Sequence, residues 1–323
     1  MADFDIMNPE ISRVQKGVEG KVILVYGSNS LGKTKVGASM PKPLVLPFES
    51  GLNAISGVPY FPVNSWSDFK KINKKLTNPR TLDKVKEKYQ TIVFDEVEAS
   101  AKYCQEYIVN KHQADDIRSG NEGFGLWKEY ESEYWREINK LTGAGFTCYF
   151  IAHVQTIDDG KAYPKGDKRA LAPVVDLADI TIYLQSQGVD EEGKVIKSKA
   201  WFAETPEFFA RSRFDYMDTS LSPFTAEGLQ KVIKEGIERE EEASGIKGIT
   251  FEEKKVINDT SLDYDELMEG IKQEYLRLDK ENKLDQYVEV VEEHLGKDAV
   301  VSEATKKQAP ILDVILSDLQ DIE

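Results

Sequence analysis

Long apolar runs are missing from this 323-residue chain. No stretch approaches the roughly 20 residues that a membrane-spanning helix needs, so no bilayer partner is expected. Cysteine is nearly absent. Cys104 and Cys148 are the whole supply, which excludes a disulfide framework and the spaced cysteine pairs of a zinc module. Each lies in a segment that reads as buried helix or strand, so reduced core thiols are expected. The three histidines, His112, His153 and His294, are scattered, which argues against a histidine-rich metal centre. The opening residues, MADFDIMNPE, carry neither the basic start nor the apolar run of a secretory signal, and a cytoplasmic location is expected. No self-similarity recurs at the roughly 20–50-residue periods of repeat architectures.

What is present points to a globular protein: 40% of residues are hydrophobic and 31% charged. The length allows one substantial domain and a smaller appendage. The net charge of −15 argues at first against a nucleic-acid partner. Its distribution removes the objection. Residues 236–323 hold 24 acidic and 11 basic side chains, which leaves 33 and 31 for residues 1–235. The first part is therefore close to neutral and can carry a local basic groove.

Strand and helix patterns alternate. KVILVY (21–26) reads as a buried strand, followed by a short helix over Lys33–Met40 that Pro41 and Pro43 halt. Further strands are expected at 43–48, 89–97, 146–154 and 178–186, and a hairpin through Gly193 near 189–202. Helices are expected at 65–76, with Ser67 as N-cap, and at 127–141, ended by Gly143 and Gly145. This order predicts a mostly parallel sheet with helices on both faces. From about Ser222 the chain becomes helical and charge-rich. The expected organisation is an N-terminal segment (1–20), an α/β core (21–237), a solvated linker (238–248) and a small acidic helical domain (249–323).

One motif carries chemistry. Gly27-Ser28-Asn29-Ser30-Leu31-Gly32-Lys33-Thr34 matches G-x-x-x-x-G-K-[ST] at every fixed position, between a strand and a helix. Gly27 and Gly32 allow a tight turn around an anion without a clashing Cβ, and successive main-chain N–H groups point at phosphate oxygens. Lys33 reaches the β- and γ-phosphates of ATP, and the Thr34 hydroxyl is a ligand for Mg²⁺. Asp95 ends the strand TIVF and is the second expected magnesium ligand. Glu96 follows directly and could activate the attacking water.

The order of motifs resembles the RecA superfamily, and more closely the phage RecA-like P-loop proteins of the Sak type. The resemblance spans Lys21–Ile237 and rests on GSNSLGKT, LVLPFESGLNAI (44–55), TIVFDEVEA (91–99), YFIAHV (149–154) and FFARSRFDYMDTSLSPFTAEGL (208–229). It implies a RecA-like P-loop ATPase core acting on single-stranded DNA inside a bacterial host, by annealing or strand exchange. It makes Glu49, just past the second strand, a competitor of Glu96 as catalytic base. It places His153 where a γ-phosphate sensor lies. Arg211 and Arg213 resemble the basic pair that such proteins present to a neighbouring subunit's nucleotide, so a homo-oligomer is implied, and a single-strand-binding or other recombination protein is a plausible partner. A separate N-terminal oligomerisation domain of the RecA kind is not expected, which puts filament formation in question.

Two loops are candidates for DNA. The first is 113–124, QADDIRSGNEGF. The second is 155–171, where Lys161, Lys165, Lys168 and Arg169 could neutralise phosphates and Tyr163 could stack on a base. Asp158, Asp159 and Asp167 dilute that charge. The acidic C-terminal segment reads either as an autoinhibitory or partner-docking appendage or as a plain solvated domain. Two rival functions stay open: a nucleotide-gated interaction factor without DNA binding, and a small-molecule kinase, for which no lid or acceptor pocket can be identified.

Overall fold

The computed structural model describes residues 7–49, 55–120, 123–157, 160–257 and 262–322. It divides into two compact units, Arg13–Lys254 and a smaller one of Met1–Ser12 with Lys255–Glu323. The larger unit begins with β1 (Val22–Gly27), α1 (Lys33–Gly37), β2 (Pro43–Pro47), α2 (Trp66–Leu76), α3 (Leu82–Lys88), β3 (Thr91–Asp95), α4 (Val97–His112), α5 (Trp127–Gly143) and β4 (Thr147–Ala152). A small antiparallel hairpin, β5 (Val154–Thr156) and β6 (Ala162–Pro164), leads into α6 (Lys168–Leu177). Then come β7 (Ile180–Gln185), β8 (Lys199–Trp201), β9 (Arg211–Ser212), β10 (Ser220–Leu221) and α7 (Ala226–Ser244). The division between units falls inside α8 (Phe251–Ile257), which is followed by α9 (Tyr264–Lys280), α10 (Leu284–Leu295) and α11 (Ala309–Gln320).

Five strands run parallel in the order β2–β3–β4–β1–β7. The short strands β8, β9 and β10 extend the β7 edge in antiparallel fashion. The sequence dictates this burial. All six residues of β1 are buried, and side chains alternate between faces with period two. Val22, Leu24 and Tyr26 join the cluster that includes Phe69 of α2, Ile108 of α4, Ile138 of α5 and Val174 of α6. Ile23 and Val25 join the opposite cluster with Val36 of α1 and Leu229 and Ile233 of α7. A parallel sheet covered on both sides needs such continuous apolar strands. Cys104 and Cys148 are free and buried, as expected.

Several elements differ from the sequence expectation. Ser65, not Ser67, caps α2, its hydroxyl accepting from the Asp68 N–H at 3.1 Å. α4 was not expected. Its buried positions Val97, Ala101, Cys104 and Ile108 follow helical spacing, but alanine and cysteine give little apolar contrast against the polar residues between them. Lys168 and Arg169, expected in a loop, form the first turn of α6, where internal Pro173 breaks the usual helical signal. α1 stops at Gly37 rather than Met40.

The expected linker 238–248 is helical through Ser244. Beyond it, the Ile249 N–H donates to the Val14 carbonyl at 2.9 Å, and residues 245–254 and 13–21 belong to the larger unit. The second unit packs α9, α10 and α11 around Leu267, Ile271, Leu278, Leu312, Ile315 and Leu319. Arg277 of α9 donates to the carbonyls of Leu319 (2.9 Å) and Ile322 (3.1 Å), closing the end of α11.

Gly37 is where α1 meets the sheet most closely. A Cβ there would lie 2.8 Å from the Tyr149 ring and 3.0 Å from Val93 Cγ1. Gly37→Ala should therefore destabilise by about 1–3 kcal/mol through overpacking, although alanine is the better helix former by ~1 kcal/mol. The urea unfolding midpoint measures this, and a raised midpoint would show that α1 can lift off the sheet freely.

Candidate nucleotide site

The carboxyl ends of β1, β2, β3 and β4 meet at one edge of the sheet, where an open α/β sheet presents its ligand crevice. The segment between β1 and α1 carries the glycine motif. Gly32 adopts φ 86°, in the left-handed region, and caps α1. Ser30 is also left-handed at φ 63°. At Gly27 a Cβ would lie 2.9 Å from the Leu184 carbonyl of β7, so the first glycine is needed for close packing of the loop on the sheet. α1 has only five residues. The anion-binding capacity therefore belongs to the loop amides more than to a helix macrodipole.

Lys33 is 7% exposed. Its ammonium folds back on the loop, donating to the carbonyls of Gly27 (2.7 Å) and Ser28 (2.8 Å). Burial lowers its pKa, while the carboxylates of Glu96, Asp95 and Glu98 oppose that shift. The Thr34 hydroxyl donates to Asp95 Oδ2 at 3.0 Å, joining the loop to the end of β3. Burial raises the Asp95 pKa, against the pull of the Thr34 hydroxyl and Lys33. The Thr34 and Asp95 oxygens are hard donors side by side, which suits Mg²⁺.

The strand order shapes the rest. β4 lies between β1 and β3, so His153, just past its end, stands between the glycine loop and Asp95. Its Nδ1 is 2.5 Å from Glu96 Oε2 and 3.6 Å from Glu98 Oε1. The His153 main-chain N–H donates to Glu98 Oε1 at 3.1 Å. Burial pushes the Glu96 carboxyl up to about 8, with the negative neighbours Glu98, Glu49 and Asp95 adding to the shift. Burial also lowers the His153 pKa, helped by Lys33 and Lys165. Glu96, Glu98 and His153 bring three ligand atoms within 4.8 Å of one another, a second set with the chemistry to hold a cation. Together Asn29, Lys33, Thr34, Asp95, Glu96 and His153 line a cavity of about 430 Å³.

Glu98 escaped the sequence reading. Its signal was a third acid in the run DEVE, where the first turn of a helix also explains a glutamate. Glu49 is exposed at the end of β2. Its charge is felt by Asp95, Glu96, Glu98 and His153, so it belongs to the same cluster. Ser50–Ala54 of the motif 44–55 lie outside the described residues, as do Asn121 and Glu122 of the first loop and Asp158 and Asp159 of the second.

Arg211 and Arg213 sit elsewhere in the chain. β9 pairs with Ile180 and Thr181 at the start of β7, whereas Gly27 pairs with Leu184 near its end. That separation is roughly 13 Å along the strand. Arg211 donates to the carbonyls of Val175 (2.6 Å), Asp176 (3.2 Å) and Ala178 (3.1 Å), and Arg213 to that of Asp176 (2.8 Å). Both cap the C-terminal end of α6.

In the second loop, Tyr163 stacks on Phe209 at 4.8 Å between centroids and Lys161 pairs with Glu204. The Lys165 N–H donates to the His153 carbonyl at 2.8 Å. Lys165, Lys168 and Arg169 are exposed, with the Arg169 guanidinium 5.7 Å from the centre of the Trp127 ring.

Comparison with known proteins agrees with this geometry. The model of a family described as an AAA domain matches residues 19–214, which takes in the loop, Asp95 and His153 and stops before α7. A protein of Bacillus subtilis (strain 168), the SPbeta prophage-derived uncharacterized protein YorG, is 56% identical over 320 residues, covering 99% of this chain and 98% of its own length. The chain belongs to the AAA domain family of P-loop ATPases.

Proposed function

We propose that this protein is a phage ATPase that binds and hydrolyses ATP while acting on single-stranded DNA in recombination, by annealing or strand exchange. The observation that carries the proposal is the polar path through His153. On one side this residue contacts Glu96 beside the glycine loop. On the other its carbonyl accepts from Lys165, which opens the exposed basic run Lys165, Lys168 and Arg169. Phosphate occupancy at one end and DNA affinity at the other would be coupled through that short path.

In this reading the main-chain amides of 27–34 and the Lys33 ammonium bind the phosphates, and Thr34 and Asp95 hold Mg²⁺. The ion would neutralise charge on phosphate oxygens. Glu49 is the preferred base, because it is open to solvent while Glu96 is engaged by His153; Glu96 is the alternative. Arg211 and Arg213 are assigned to the α6 cap rather than to a neighbouring subunit's nucleotide, since one guanidinium nitrogen of each donates to carbonyls at the end of that helix. Tyr163 is assigned to packing on Phe209, which leaves the three exposed cations as the DNA contacts. The relative is prophage-derived, in keeping with a phage role.

ATP turnover with and without single-stranded DNA tests the proposal. Lys33→Ala should lower turnover about 100-fold or more, as loss of a phosphate-stabilising cation does. Glu49→Gln should keep ATP binding and lose turnover by about 10²–10⁴-fold. Retained turnover in that variant, with loss in Glu96→Gln, would move the role to Glu96.

Replacing Lys165, Lys168 and Arg169 together by alanine should weaken single-stranded DNA binding and flatten its log–log salt dependence by up to about 2. Unchanged binding and slope would remove this run from the interface. ATP binding with no response to DNA in the parent protein would favour the alternative, a nucleotide-gated interaction factor, and phosphate transfer to a nucleoside would favour a kinase.

A further inference from the structure

Glu96 holds the N-cap position of α4, yet its side chain makes no capping hydrogen bond. An acidic side chain at a helix start ordinarily finds the free N–H groups of the first turn. Glu96 is only 7% exposed, and its Oε2 lies 2.5 Å from His153 Nδ1 instead. That contact lacks hydrogen-bond geometry, for Nδ1 is buried without a hydrogen-bond partner. Glu98, in the first turn of the same helix, is half engaged. Its Oε1 accepts from the His153 N–H at 3.1 Å, while its Oε2 is buried and unpartnered. Among the described residues, no lysine or arginine comes within ion-pair range of either carboxylate. Lys33 directs its ammonium at the carbonyls of Gly27 and Ser28.

Buried polar atoms rarely stay without partners, and orphan atoms that converge call for a common ligand. Here they converge from two elements, the first turn of α4 and the end of β4. One ligand atom from each of Glu96, Glu98 and His153 falls within 4.8 Å of the others, and Nδ1 is 3.6 Å from Glu98 Oε1. Two ligands of one tetrahedral ion, each about 2.0–2.2 Å from it, stand roughly 3.3–3.6 Å apart. The set would close on an ion with a shift of about 1 Å in the His153 ring. A proton on His153 could serve Glu96 as an imidazolium partner, but it would leave Glu98 Oε2 unmatched.

The geometry points to a second metal site, separate from the Thr34–Asp95 pair, in which Glu96, Glu98 and His153 hold a divalent transition-metal ion such as Mn²⁺ or Zn²⁺. The donors decide the class of ion. An imidazole nitrogen beside two carboxylates suits borderline transition ions, whereas Mg²⁺ demands near-octahedral oxygen and gives up its waters reluctantly. Thr34 and Asp95 offer oxygen alone. Glu96 and His153 also line the cavity that holds Lys33, so coordination positions left by three protein ligands would open into that space. The ion would tie the start of α4 to the end of β4. It would also occupy Glu96, leaving Glu49 as the free carboxylate. The inference concerns the site of the proposed ATPase but stands on ligand geometry, and it does not require ATP hydrolysis.

The test uses the full chain without nucleotide. Mn²⁺ binding is read from loss of the free-ion electron paramagnetic resonance signal, and Zn²⁺ binding from competition with a chromogenic chelator. One ion per chain should bind and be retained in excess Mg²⁺. Glu98→Gln keeps an oxygen for the His153 N–H, yet it should raise the Kd at least about tenfold, as should His153→Gln, since loss of an outer partner alone costs about 10–100-fold. Mn²⁺ should raise the urea midpoint of the parent chain and not that of folded Glu98→Gln. Thr34→Ala removes a ligand of the magnesium pair and should leave Mn²⁺ binding unchanged. No uptake of either ion by the parent chain, or equal uptake by both ligand variants, would overturn the site. So would Mn²⁺ binding lost in Thr34→Ala but kept in Glu98→Gln, which would place the ion at the magnesium pair. None of these outcomes touches the phosphate cradle, which is tested separately by the binding of ATP.

Discussion

Four carboxylates and one ammonium crowd the carboxyl edge of a largely apolar sheet. Asp95, Glu96 and Glu98 are mostly withdrawn from water, Glu49 lies at their margin, and Lys33 is the buried cation among them. Negative charges this close raise each other's proton affinity, and burial adds to the effect. Two of them have local donors: the Thr34 hydroxyl for Asp95 and the His153 main-chain N–H for Glu98, while the His153 ring lies beside Glu96. An arrangement so rich in acid is suited to receive cationic charge together with an anion. A magnesium-bound triphosphate supplies both.

The same crowding couples the groups of the site to one another. Lys33 rests on the carbonyls of its own loop, contacts that a bound phosphate would compete for. Any change in the charge near Lys33 is felt at Glu96 and His153, because these groups interact through a partly desolvated medium. His153 then connects to Lys165 through the main chain. The path is short because β4 is inserted between β1 and β3; had β1 and β3 been direct neighbours, no strand end would stand between the loop and Asp95.

Much of the core was legible from the residues. Uninterrupted apolar runs such as VILVYG and TIVFD leave no polar face, so a doubly covered parallel sheet follows from burial alone. The glycine loop was legible because its chemistry is local: eight consecutive residues contain the turn, the cation and the hydroxyl. Asp95 was legible because a polar residue closing an apolar strand is conspicuous. α4 and α6 were not, since small residues in one and Pro173 in the other blur the helical period. The roles read from Arg211, Arg213 and Tyr163 depended on where their side chains end, and the structure gives each an intramolecular partner.

By itself the sequence determined the local quantities: which segments must be buried, which eight residues form the glycine motif of the family, and how acid is distributed along the chain. These follow from composition, spacing and the stereochemistry of glycine, which act over a few bonds. Only the tertiary structure decided the partnerships. It brought Glu98 to His153 across 55 positions, fixed the turn between β7 and β8 to the glycine loop through Ser198, and turned Arg211 toward the end of α6. Such contacts depend on the order in which strands enter the sheet, and no property of an isolated segment encodes that order.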